Sequence, residues 1–115
     1  MDIVFYIVSR YTSTEKERHI CLYLDAYYAH QYMIKNHTQF LLTENYNRHT
    51  IDTLNIDDKD IWYVVFHQGE QEDYIVACFK DSVDATEFIE TSDNPHLILS
   101  KKSWEDIKNI LKSYE

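Results

Sequence analysis

His19 and Cys21 stand two positions apart in Arg18-His19-Ile20-Cys21-Leu22-Tyr23, a run whose residue types favour a β-strand. On a regular strand both side chains would point to one face, an imidazole beside a thiol. Such a pair can begin a zinc site or an activated nucleophile. Structural zinc takes four ligands, usually in tight pairs. The other histidines, His30, His37, His49, His67 and His96, are scattered without that spacing. A reactive thiol needs an electropositive, partly open setting. Cys21 and Cys78 lie instead in apolar runs of an acidic chain. Two protonated core thiols are therefore expected, and no metal. Asp57, Asp58 and Asp60 gather three carboxylates between the halves of the chain. A calcium loop would need a central glycine and a closing glutamate, and residues 54–60 have neither. They read as a solvated linker. No residue is assigned a catalytic role, and no cofactor is expected.

Charge narrows the partners. The chain has 115 residues and a net charge of -9, unevenly spread. Residues 1–57 hold seven acids and five bases, whereas residues 58–115 hold thirteen acids and six bases. From Glu70 to Asp93 there are eight carboxylates against Lys80 alone. That field repels nucleic-acid phosphates and attracts basic surfaces. Direct nucleic-acid binding is disfavoured, and a protein with a basic surface is the expected partner. No apolar run reaches the roughly 18 residues of a membrane span. The apolar start lacks a basic leader and is broken at Arg10, so a strand is expected there rather than a signal peptide. With two reduced cysteines, a cytoplasmic protein is expected.

These residues need a scaffold, and the chain carries one written twice. Residues 3–8, IVFYIV, answer to residues 61–66, IWYVVF. Residues 20–25, ICLYLD, answer to residues 76–81, VACFKD. Ala29, Tyr32 and Met33 answer to Ala85, Phe88 and Ile89, and residues 39–43 to residues 96–100. The expected fold is α+β: a pseudo-symmetric tandem repeat of a ββαβα unit in a single domain, 1–115, with copies 3–55 and 61–112. A mostly antiparallel sheet would carry helices packed on it. Each copy opens with a hairpin; the second turn contains Gly69, which can take a positive φ. The opening strands are apolar on both faces, so helices should cover one face, and the other copy or a partner the second. Asp25 and Asp81 are placed as N-caps. Ser103 before Trp104-Glu105-Asp106 starts a last helix with Trp104, Ile107, Ile110 and Leu111 on one face. Its counterpart in the first copy is expected near Asn47 to Leu54.

Two surfaces stand out. In the second copy's helix Ala85, Phe88 and Ile89 form the inward stripe, which leaves Asp84, Glu87 and Glu90 facing outward. In the first copy's helix the outward positions are Tyr27, Tyr28, Gln31 and Ile34, with Lys35 beside them, so that helix is apolar nearly all round. Aromatic residues are enriched where interfaces concentrate their binding energy.

The run Tyr63-x-Val65-Phe66, a polar turn, then Phe79-x-Asp81-x-x-x-Ala85-x-x-Phe88-Ile89-Glu90 resembles small bacterial and phage ββαβ domains of unknown function. The resemblance spans about 40 residues of the second copy. It rests on core and capping positions, so it implies a fold and carries no catalytic residue. The reading is a non-enzymatic acidic binding protein, an inhibitor or regulator of the kind phages and mobile elements carry, that occupies a basic nucleic-acid-binding surface of its target. The alternatives are a structural homo-oligomer self-associating through Tyr27 and Ile34, and a small enzyme with a cleft between the copies.

Overall fold

The structure, a computed structural model, describes residues 3–11, 18–37 and 40–114. The polar turn of the first expected hairpin, Thr12 to Glu17, lies outside them, as do Thr38 and Gln39. The chain is α+β: among the described residues six strands form one antiparallel sheet with three α-helices on it. The strands are β1 (Val4–Arg10), β2 (Arg18–Tyr23), β3 (Leu41–Asn47), β4 (Ile61–His67), β5 (Tyr74–Phe79) and β6 (Leu97–Ser103). Their order across the sheet is β3-β1-β2-β5-β4-β6. The central seam is short, pairing Cys21 with Phe79, Leu22 with Cys78 and Tyr23 with Ala77.

Apolar residues on both faces of β1 and β4 make two cores. On one face Val8, Cys21, Tyr23, Val65, Ala77 and Phe79 are buried under the helices α1 (Ala26–Asn36) and α2 (Ser82–Thr91). Each helix sets a fully buried alanine, Ala29 or Ala85, against the sheet. With no side chain beyond Cβ, it lets the helix backbone approach closely. Asp25 accepts from the Tyr27 N–H and Asp81 from the Val83 N–H, both at 2.8 Å, so the expected caps are in place. On the opposite face Phe5, Ile7, Leu22, Trp62, Val64 and Cys78 pack against α3 (Trp104–Ser113) through Trp104, Ile107 and Leu111. The second face is thus closed within the chain, the first half's strands being covered by α3 of the second half, with Ile51 and Leu54 of the first half joining the same core. Ser103 caps α3, accepting from the Asp106 N–H at 3.2 Å.

Four local expectations are corrected. The helix expected near Asn47 to Leu54 is a three-residue 3-10 turn, Ile51–Thr53. The Asn47 side chain accepts from the His49 and Thr50 N–H groups, and the Thr53 hydroxyl donates to the Thr50 carbonyl. These local bonds offer the backbone an alternative to helix. Residues 54–60 are not a free linker either. Leu54 is buried, Asp60 and Asp58 carbonyls accept from the Trp104 and Glu105 N–H groups, and Lys108 lies 2.7 Å from Asp58. Gly69 does not take a positive φ. It is needed for room, because a Cβ there would sit 2.3 Å from the Glu72 carbonyl oxygen.

The fourth correction concerns His19 and Cys21. Val8 pairs with Cys21 but Ser9 pairs with His19, so Ile20 is an extra residue in β2. This bulge reverses the alternation. Cys21 faces α1 and α2, whereas His19 turns to the other side, where its Nδ1 lies 3.0 Å from the buried Ser9 hydroxyl. Imidazole and thiol do not share a face. Cys21 and Cys78 also belong to opposite cores, and both are free and buried, as expected.

Candidate functional site

α1 and α2 lie side by side over the central seam, and between them runs a groove of about 1040 Å³. Its position follows from the sheet order: because β2 pairs with β5, the helix after each of these strands lands beside the other. The floor is aromatic. Tyr23 meets Phe79 edge-on with centroids 5.5 Å apart, and Phe88 lies 6.0 Å from Tyr23 and 5.6 Å from Phe79.

The two walls differ in chemistry. α1 contributes Tyr27, Tyr28, Gln31, Tyr32 and Ile34, and α2 contributes Asp84 and Glu87, with Asp93 just beyond its end. Tyr27 is 63% exposed and Ile34 59%, high values for an aromatic and an aliphatic residue on one helix face. Three contacts cross the groove. Tyr28 stands edge-on to Phe88 at 5.3 Å, the Tyr32 hydroxyl donates to Asp84 at 3.1 Å, and the Lys35 ammonium pairs with Glu87. Burial and the neighbouring Asp84 charge push the Tyr32 phenol up, so it stays a protonated donor at neutral pH. Tyr23 is pushed up as well, by burial first and then by Cys21.

Six of the seven residues singled out from sequence line this one groove: Tyr27, Tyr28, Gln31, Ile34, Asp84 and Glu87. What read as two separate surfaces is a single one. Asp84 is not fully outward as expected; it is half-buried and bonded across the groove to Tyr32. Glu90 is exposed and outside the lining. The floor residues Tyr23, Phe79 and Phe88 were readable only as core. Their place beneath a groove depends on the β2–β5 pairing, for which the sequence carries no local signal.

Burial pushes both the Cys21 and Cys78 thiols up, away from the reactive thiolate. Among the described residues no group of three or more His, Cys, Asp or Glu is placed to hold a metal ion. A smaller cavity of about 510 Å³ opens at the start of β2, where Arg10, Arg18 and Lys80 face Asp60, Asp81 and Asp84. Asp84 is shared between this cavity and the groove, so the three basic groups here partly offset the groove's acidic wall. No described helix is long and apolar enough to cross a membrane. No family model, curated protein or solved structure matches the chain.

Proposed function

We propose that this protein is a non-enzymatic binding module that acts by occupying a basic surface of a partner protein, with the groove between α1 and α2 as its contact surface. The observation that carries this reading is the convergence of exposed aromatic and aliphatic side chains with carboxylates in that groove. Exposed apolar patches rimmed by polar groups mark interaction sites. A basic surface complements the acids, and one that otherwise holds nucleic acid would be blocked by them, which is how a phage or mobile-element inhibitor would act. Two copies of the chain would bring net charges of -9 together, so a basic partner is preferred to self-association. Two buried free thiols accord with a reducing, cytoplasmic setting.

We also infer that the two halves are copies of one ββαβ unit about an approximate two-fold axis at the β2–β5 seam. Their bulges support it: one falls at Val8/Ser9 and the other at Val65/Phe66, each against the hairpin partner. The capping aspartates and buried alanines also recur in the same order.

The functional reading is tested by using wild type and Ile34→Asp as parallel baits in native host lysate. A basic protein held by wild type and lost from the folded variant is the expected result. Equal retention by both, or a wild type that only self-associates, would overturn the reading.

A further inference from the structure

The groove's asymmetry points to the side chain it recognises. Tyr27 and Tyr28 rings meet edge-on at 5.8 Å, and Tyr28 meets Phe88 edge-on at 5.3 Å, so this wall of the groove is a run of packed aromatic rings. Across the groove Phe88 faces Tyr28, and Asp84 and Glu87 stand against Tyr32 and Lys35 further along α1, with Asp93 beyond the end of α2. Among the described residues the groove lining sets one cation, Lys35, against these three carboxylates, and it is paired with Glu87; Asp84 also lines the smaller cavity with Arg10, Arg18 and Lys80. Asp84 receives a neutral phenol from Tyr32. The lining is therefore negative on one wall and aromatic on the other.

Different occupants fare differently here. A purely apolar segment would take the carboxylates out of water with only the Tyr32 and Lys35 contacts to offset the loss. A second copy would bring more acid, and an anion would be repelled. A lysine ammonium satisfies the acidic wall as a compact, strongly hydrated point charge. An arginine guanidinium satisfies both walls at once: its plane stacks on an aromatic face, while its forked N–H groups reach a carboxylate.

We infer that the groove recognises an arginine side chain presented by the partner protein, stacked on the Tyr27–Tyr28 wall and hydrogen-bonded to the Asp84–Glu87 wall. This rests on the proposed binding role of the groove and adds the residue that it selects.

The test uses the full chain and two labelled probes of equal length and charge, hexa-arginine and hexa-lysine, followed by fluorescence anisotropy at low salt. Wild type should bind the arginine peptide about fivefold more tightly, equivalent to ~1 kcal/mol. Tyr28→Leu should bring the two affinities to parity, while Tyr28→Phe should keep the preference because the ring remains. If Tyr28→Leu fails to fold, Tyr27→Leu takes its place, since that side chain is the more exposed. Glu87→Gln should weaken both peptides. Equal affinities on wild type, both reduced in Glu87→Gln, would overturn arginine selection and leave the acidic groove as the basic-partner site. Binding of neither peptide to wild type would overturn the arginine inference and the groove's role together. A preference that survives loss of the ring in the folded variant would place the selecting group elsewhere, and overturn the inference as stated.

Discussion

Replacing Ile34 by aspartate should leave the fold standing and remove the contact surface. Ile34 is 59% exposed, so about two-fifths of its side chain is covered. Full burial of an isoleucine is worth about 2–3 kcal/mol, which sets the covered part near ~1 kcal/mol. Aspartate and isoleucine are similar helix formers, aspartate the poorer by about 0.2 kcal/mol. Its charge in the last turn of α1 opposes the helix dipole by about 0.5 kcal/mol. The total, ~2 kcal/mol, is well within the roughly 5–15 kcal/mol by which domains are stable. Ile107 provides the contrast. It is fully buried against the opposite face, and Ile107→Ala should cost about 2–5 kcal/mol through the cavity left behind. Urea denaturation followed by tryptophan fluorescence reads both variants. Trp62 and Trp104, with ring centroids 5.4 Å apart, lie buried in the core away from the groove, so the substitution on α1 does not touch the probe, whereas Ile107 shares the probe's own cluster. Ile34→Asp should show a modest midpoint shift with unchanged slope and should no longer bind the partner. A loss as large as that of Ile107→Ala would mean that Ile34 is core, and the reasoning about this face would fail.

Three further outcomes follow from the geometry. Asp25→Ala and Asp81→Ala should each cost about 1 kcal/mol, because each removes the acceptor for a helix N–H, and the two losses should add in thermal denaturation. Alkaline pH should destabilise the fold. Cys21, Cys78, Tyr23 and Tyr32 are all pushed up by burial, so the unfolded chain releases protons that the folded chain retains. Stability should be steady below the ordinary thiol value of 9.0 and fall as pH rises past it and past the ordinary phenol value of 10.0, as read by denaturation midpoints across pH. Gly69→Ala should lower stability by about 1–3 kcal/mol, since the new Cβ meets the Glu72 backbone oxygen, and an unchanged midpoint would show that the turn yields freely.

Much of the scaffold was legible because its signals are local. Runs of β-branched and aromatic residues marked the strands, and Asp25, Asp81 and Ser103 each sit one residue ahead of a helix, where a short acceptor satisfies orphan N–H groups. The stripe of Ala85, Phe88 and Ile89 likewise pointed inward as its spacing demands. What escaped the sequence depends on pairing. The bulge at Ile20, which parts His19 from Cys21, exists only relative to β1. Residues 47–54 carry a plausible helical pattern, but the Asn47 and Thr50 side chains turn the backbone there instead. Gly69 was read for its freedom in φ, whereas its crowding comes from Glu72, a contact that the turn itself creates. The groove belongs to this class. Tyr27 and Ile34 on one helix, and Asp84 and Glu87 on another, face a common space because two strands meet at the centre of the sheet.

The central claim, that this groove finds a basic partner, is tested most directly by association kinetics. Stopped-flow rates with the captured partner would be measured across ionic strength for wild type, for Asp84→Asn/Glu87→Gln in the groove wall, and for the triple variant that adds Glu90→Gln outside it. Coulomb steering weakens as the screening length shortens to about 8 Å at physiological salt. Wild-type association should be fast at low salt and slow steeply as salt is added. Both variants should associate more slowly and depend less on salt. Rates that stay the same across salt, in all three proteins, would overturn the claim and leave the acidic groove wall a feature of solubility alone.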